Sequence, residues 1–128
     1  MSLYYNIPKK ASILELHENL TKEIDDEGNI EYKIHIIKPT EKRIQKLITQ
    51  MKWRISEGSG ICIYYIGIND NGKANGISYK MMIESLNNLK IVSDNLKYEI
   101  FVEYFKKGIS GGFCSKVVII NNNSSLSY

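Results

Sequence analysis

Residues 40–60 constrain the fold of this chain more than any other part of the sequence. Their apolar side chains recur at the three- and four-residue spacing of one helical stripe: Ile44, Leu47, Ile48, Met51 and Ile55. Thr40 can accept hydrogen bonds from the free amides of a first turn, and Gly58 and Gly60 provide a stop. The pattern predicts an amphipathic helix, which needs a second layer against which to bury its stripe.

The outer face of this predicted helix carries the only tryptophan of the chain, Trp53, roughly opposite Ile44 at about 100° per residue. Lysines neutralise phosphates, and an exposed aromatic ring can stack on a base. The candidate residues for binding a partner or nucleic acid are Lys42, Arg43, Lys46, Gln50, Trp53 and, on the flank, Arg54. Alternatively, the face docks another protein or domain, or Trp53 packs under the acidic stretch before Ile30.

The remaining periodicity predicts an α+β fold. Residues 30–37 alternate as a half-buried strand, with Ile30 and Tyr32 inward and Glu31 outward, and residues 61–68 are apolar on both faces like a central strand. The expected architecture is a two-layer sandwich with two helices on one face of a mixed sheet of about five strands, in the order β-α-β-β-α-β-β. The further elements are a return strand at 73–77, a helix at 78–96 capped by Ser78, strands at 98–105 and 113–120, and a short helix at 11–20.

The length of 128 residues fits one domain. We predict a partly ordered acidic segment at 1–28, the domain at 29–120 and a disordered polar tail at 121–128. Residues 1–32 carry a net charge of −4 and the remainder +7, which suits an acidic partner or nucleic acid. Cys62 and Cys114 lie in apolar runs and are expected to be reduced core residues. No signal-type or membrane-spanning run is present, which favours a cytoplasmic protein with no membrane partner.

Residues 67–73 match the GxxxxGK spacing of a phosphate-binding loop. Such a loop also needs Ser or Thr after the lysine and a helix starting there, whereas Ala74 follows Lys73. Asn69 to Gly72 instead has the composition of a hairpin turn. A nucleotide-binding enzyme is therefore the weakest hypothesis. We predict no catalytic residues, no nucleotide-binding residues and no metal ligands in this chain.

Three stretches together resemble a known family. They are DDEGNIEYK at 25–33, TQMKWR followed by EGSG within 49–60, and YIGINDNG followed by GIS within 65–78. This combination, spanning about residues 25–90, resembles the region before the GTPase domain in the eukaryotic GTP-binding protein 1 and 2 family. Those proteins are similar to translation elongation factor 1-alpha.

The resemblance implies a longer parent protein that binds and hydrolyses GTP with Mg²⁺ and acts in translation, ribosome rescue or RNA turnover. It implies that this chain is a non-catalytic accessory domain without cofactors, which docks its own GTPase domain, RNA or the ribosome. A shorter likeness, over residues 60–76, links the chain to the Alba-like domains of Schlafen-type proteins. That likeness implies an RNA- or DNA-binding domain as the alternative.

Overall fold

A computed structural model describes residues 14–15 and 28–122 of the chain. Within these residues it contains two long helices and a sheet of five strands, the first of only two residues. In chain order the elements are β1 (Leu14–Glu15), β2 (Ile30–Lys33), α1 (Glu41–Glu57), β3 (Ile61–Ile66), α2 (Tyr79–Asn95), β4 (Glu99–Lys107) and β5 (Phe113–Ile120).

The sheet is mixed, with the strand order β1-β4-β5-β3-β2. Strand β5 is antiparallel to both of its neighbours, β3 and β4, while the outer strands β1 and β2 run parallel to theirs. Both helices pack on the same face, where their apolar stripes meet the inward residues of β3 and β5. The predicted α+β class, with two helices on one face of a mixed sheet, is therefore confirmed.

The main core lies between the helices and this face of the sheet. Helix α1 contributes the predicted residues Leu47, Met51 and Ile55 to it, and Ile44 and Ile48 pack at its margin. The central strands contribute Cys62, Tyr64, Ile66, Val117 and Ile119, and α2 contributes Met82, Leu86, Leu89 and Val92. Cys62 and Cys114 are both buried free thiols, which confirms the prediction for them.

Both helices begin and end close to the predicted positions, because the local sequence encodes their termini. The Thr40 hydroxyl accepts a hydrogen bond from the Arg43 amide at 3.1 Å, and Gly58 caps the other end of α1. At α2 the Ser78 hydroxyl accepts from the Met81 amide at 3.2 Å. The two caps fix the helix starts, and therefore which residues face the core.

The predicted return strand at 73–77 is not formed. Asn69 to Lys73 closes a tight turn, in which the Asn69 amide donates to the Lys73 carbonyl at 2.9 Å. Beyond the turn, only Ile77 bridges a strand, and its partner is Phe113 of β5 rather than β3. Residues 74–76 are held by the turn between β4 and β5, since the Ser110 amide donates to the Asn75 carbonyl at 2.9 Å. Tertiary contacts therefore overrode the hairpin pattern.

The strand predicted at 30–37 ends at Lys33, and residues on both of its sides are buried. Glu31 points into the protein at 7% exposure, and Tyr32 joins a small second cluster with Ile68, Ala74 and Cys114. Ile36 enters the main core from the loop that follows, where its amide donates to the buried Ser85 hydroxyl at 2.9 Å. The burial of Tyr32 and Ile36 agrees with the prediction, whereas Glu31, expected to point outward, is buried too.

The short helix predicted at 11–20 is also wrong where it can be compared. Leu14–Glu15 forms β1 and pairs with the end of β4 beside Lys106 and Lys107. The rest of that predicted helix lies outside the described residues, as do most of the acidic segment and residues 123–128 of the predicted tail. The fifth strand of the sheet is thus β1, not the expected return strand.

Candidate functional site

The outer surface of α1 forms a shallow groove of about 530 Å³, lined by Lys42, Gln45, Lys46, Thr49, Gln50 and Trp53. We call this surface the Trp53 face. Its residues recur every three or four positions, so they form a row about 16 Å long on the side of the helix away from the core. The structure thus brings together four of the six residues predicted as a site: Lys42, Lys46, Gln50 and Trp53.

Trp53 is 40% exposed, which makes it one of the few large apolar side chains at the surface of the described chain. The guanidinium carbon of Arg54 lies 4.6 Å from the centroid of the indole ring, a cation–π distance. One side of the ring therefore packs on a cation, while a large part of it remains open to a partner.

Arg54 does not belong to the exposed surface, contrary to its predicted place in the site. It is 3% exposed, because it turns beneath the helix toward the sheet. Its Nε donates to Glu31 Oε2 at 3.0 Å, and its Nη1 donates to the Gly28 carbonyl at 2.7 Å. The helical periodicity predicted Arg54 on the flank of the outer face. In the structure its side chain is buried instead, where it pairs with the acidic Glu31 of β2.

The positive charge of the surface comes from other residues. Lys42, Arg43, Lys46 and Lys52 are all exposed on α1, whereas its exposed acidic residues, Glu41 and Glu57, lie at the two ends of the helix. The Arg54 charge is balanced internally by Glu31. The middle of the exposed helix surface is therefore basic, and it is suited to phosphates or to an acidic protein surface.

Gln50 occupies the middle of the groove and is half-buried. Its side-chain oxygen is shielded from solvent and has no hydrogen-bond partner among the residues that the structure describes. A shielded carbonyl oxygen without a donor is unfavourable, by about 1–3 kcal/mol. A partner that brings an N–H group into the groove would remove this cost.

The loop at 67–73 lacks the geometry of a phosphate-binding loop. The Gly72 amide donates to the Asn69 carbonyl at 2.8 Å, and the Lys73 amide donates to the Asn71 side chain at 2.9 Å, so these amides are turned to the chain itself. Helix α2 begins only at Tyr79, and its cap is Ser78 rather than a residue next to Lys73. The arrangement does not fit the cradle of backbone amides that such a loop provides.

Residues 14–15 and 28–122 contain no group of three or more His, Cys, Asp or Glu placed to hold a metal ion. Neither of the two helices described is both long and apolar enough to cross a bilayer.

Sequence reasoning missed Glu31 and Gly28 as parts of the site. Both lie in the 25–33 stretch of the resemblance, and Trp53 and Arg54 lie in its TQMKWR stretch. The ion pair joins these two stretches across the fold. A buried partner for Arg54 has no local pattern, because Glu31 is 23 residues away and on another element.

Comparison with known proteins agrees with the family resemblance. Human and mouse GTP-binding protein 2 are each 40% identical to the chain over 77 residues, which cover 60% of this chain and 13% of each relative. An uncharacterized protein of Acanthamoeba polyphaga mimivirus, R625, is 33% identical over 99 residues, covering 75% of this chain and 53% of the relative. No family model matches the chain. No solved structure matches it either.

The chain thus spans about an eighth of the length of GTP-binding protein 2 and about half that of the viral protein. Over the matched 77 residues the chain is similar to GTP-binding protein 2, which agrees with the resemblance to the GTP-binding protein 1 and 2 family.

Proposed function

We propose that residues 29–120 form a non-catalytic accessory domain of an elongation-factor-like GTP-binding protein, and that the Trp53 face docks its partner. The observation that carries this proposal is the large exposed ring of Trp53, set in a basic groove on a helix whose other side is buried. The candidate partners are the protein's own GTPase domain, RNA and the ribosome. All of them suit a basic surface, because each can present phosphates or acidic side chains.

The proposed parent protein binds and hydrolyses GTP with Mg²⁺ in the cytoplasm, and takes part in translation. This part of the proposal rests on the shared region with GTP-binding protein 2. The Gly72 and Lys73 amides of the loop at 67–73 donate to the chain itself, which supports a nucleotide site outside this domain. GTP and Mg²⁺ would therefore be bound elsewhere in the parent protein.

A second candidate function is a free-standing, Alba-like domain that binds RNA or DNA. The four exposed basic residues of α1 around an exposed aromatic ring favour it, since single-stranded nucleic acids bind to such combinations of cations and stacking platforms. The likeness behind it is confined to residues 60–76, and the second strand of that strand-turn-strand is not formed. We therefore keep it as the alternative.

The single tryptophan provides the test. Unlabelled tRNA-like RNA is titrated into the protein at low and at moderate salt while Trp53 emission is followed. We expect salt-sensitive quenching with an affinity in the micromolar range, because lysine–phosphate contacts release counterions. Lys46→Glu should weaken binding by about tenfold or more, since it replaces an attraction by a repulsion. Lys80→Glu, the same charge reversal at an exposed position of α2, is the matched control and should bind normally.

Each outcome discriminates between the candidate functions. Equal loss of binding in both variants would show that RNA responds only to net charge, and would contradict a specific Trp53 face. An exposed emission spectrum with no response to RNA would direct the search to a protein partner, namely the GTPase domain. GTP turnover by the purified chain, measured as phosphate release, would contradict the proposed non-catalytic role.

A further inference from the structure

A buried ion pair lies against Trp53 and joins α1 to β2. Arg54 Nε and Glu31 Oε2 are 3.0 Å apart, and their side chains are only 4% and 10% exposed. Arg54 Nη1 also donates to the Gly28 carbonyl at 2.7 Å. Because a guanidinium is planar, two directed hydrogen bonds at different nitrogens fix its plane as well as its position.

The same fixed guanidinium contacts the exposed ring. Its central carbon lies 4.6 Å from the centroid of Trp53. A cation–π contact is stronger when the cation is withdrawn from water, as Arg54 is. The ring thus lies against a cation that two hydrogen bonds hold in place, while the outer part of the ring faces solvent.

Stability alone is a weak explanation for this ion pair. Burying two charges removes their hydration, and an apolar pair of similar volume is frequently as stable or more stable. An apolar pair, however, could not attract the π face of the indole ring. An apolar replacement would therefore lose the cation that orients Trp53, besides the hydrogen bond to the Gly28 carbonyl.

We infer that Glu31 and Arg54 are positioning residues for Trp53, and that the side of the ring away from Arg54 stacks on an unpaired base of RNA. The choice of RNA rests on the proposed function, whereas the orientation of the ring does not. Aromatic side chains that bind single strands stack on bases in a sequence-tolerant way. Lys46 lies in the same groove, where it can meet a phosphate of the bound strand.

The first measurement uses the free protein. Time-resolved fluorescence anisotropy of Trp53 reports how far the ring moves within the folded domain. In Glu31→Gln, which removes the charge but keeps the shape, we expect a clear increase in fast ring motion. Glu103→Gln is the matched control, because it breaks the Lys116–Glu103 ion pair of 2.8 Å on the sheet and should leave the ring motion unchanged.

A second variant covers the case in which Glu31→Gln fails to fold. The double change Glu31→Leu with Arg54→Met replaces the buried pair by apolar groups of similar volume, a replacement that other proteins tolerate. It removes the cation behind the ring and should give the same increase in ring motion. Unchanged anisotropy decay in a folded variant of either kind would overturn the inference.

The second measurement tests the base. An unstructured single-stranded RNA should bind Glu31→Gln about tenfold more weakly than the unmodified protein, the order of one lost base-stacking contact. The salt dependence should stay the same, because the lysine contacts remain. Equal affinity for the single strand despite a mobile ring would overturn the stacking assignment.

The two proposals fail in different ways. If the unmodified protein binds no RNA, the RNA-binding function fails and so does the stacking assignment, while the anisotropy of the free variants still decides the positioning role. Suppose instead that RNA binds the unmodified protein, that Lys46→Glu abolishes this binding, and that ring motion is unchanged in folded Glu31→Gln. The proposed function then stands and the positioning role fails.

Discussion

At the scale of single residues, the interior beneath α1 combines charges with groups that must stay neutral. The pKa of the Cys62 thiol is raised to about 12, chiefly by burial; the Arg54 charge opposes this rise and the Glu31 charge adds to it. Cys114 has its pKa raised to about 11, again chiefly by burial. Both thiols therefore stay protonated in the folded protein well above the ordinary thiol value of 9.0.

These thiols predict a loss of stability in alkaline solution. Below about pH 9 the thiols are protonated in both states, so the free energy of unfolding does not depend on them. Above that value the unfolded thiols ionise, the folded ones do not, and the free energy of unfolding falls as the pH rises. Urea unfolding measured from about pH 8 to pH 10 should show this fall.

Replacing both cysteines supplies the control for this prediction. Cys62→Ala with Cys114→Ala has a lower starting stability, because two buried side chains are shortened, but its pH profile should be flatter over the same range. A double variant as steep as the unmodified protein would assign the loss to other groups. Buried Tyr64, whose pKa is raised well above 10.0, would contribute only at still higher pH.

At the scale of elements, each helix is defined by a short local signal at its start. The Thr40 cap is supported by acidic Glu41 in the first turn of α1, which complements the positive end of the helix. The Ser78 cap of α2 has no acidic residue in the first turn. The position of the Trp53 face depends on this start of α1, because each later residue lies at a fixed angle from the first residue of the helix.

We expect Thr40→Ala to destabilise the domain by about 1 kcal/mol, because the Arg43 amide loses its acceptor. Chemical denaturation at neutral pH measures the change. Thr49→Ala is the matched control: the same substitution within the same helix, at an exposed site whose hydroxyl only donates back to the Gln45 carbonyl. That change should be neutral or slightly stabilising, since alanine favours the helix more than threonine does. Equal losses in the two variants would argue against the cap.

At the scale of the whole molecule, two loops that are distant in sequence close one end of the sheet together. The amide of Phe113 donates to the Ile77 carbonyl at 2.7 Å, and the Ile109 amide donates to the Ala74 carbonyl at 2.8 Å. The backbones approach so closely that a Cβ on Gly112 would lie 2.6 Å from the Ile77 carbonyl oxygen. These backbone contacts hold residues 73–77, which the sequence pattern predicted to be a strand, against the β4–β5 turn instead.

Gly112→Ala should therefore destabilise the domain by about 2 kcal/mol or more, because the clash is with backbone and no side chain can move aside. Gly111→Ala tests the neighbouring position, which has a φ of +90° but open space around it. It should cost about 1–2 kcal/mol from backbone strain alone. Thermal or urea unfolding of the two variants gives the comparison, and a Gly112 variant as stable as the unmodified protein would contradict the close approach of the loops.

The parts of the fold that could be predicted are those encoded within a few residues. The caps at Thr40 and Ser78, the helical stripes and the strand at 113–120 all follow from periodicity and from local hydrogen bonding. The return strand at 73–77 could not be excluded in this way. A turn sequence indicates that the chain reverses, but not which strand the reversed segment then meets.

The residues of the candidate site also differ in whether local sequence or tertiary contacts place them. The spacing along α1 was sufficient to group Lys42, Lys46, Gln50 and Trp53 on one surface, because a helix repeats at a fixed angle whatever surrounds it. The burial of Arg54 depended on Glu31, a residue of β2 that the chain brings beside α1 only when the sheet forms. The sequence by itself thus determined the two long helices, the strand at 113–120 and the exposed and apolar faces of α1. Only the tertiary structure decided which charged residue is buried, because desolvation of a charge is offset by partners that lie far away in the chain.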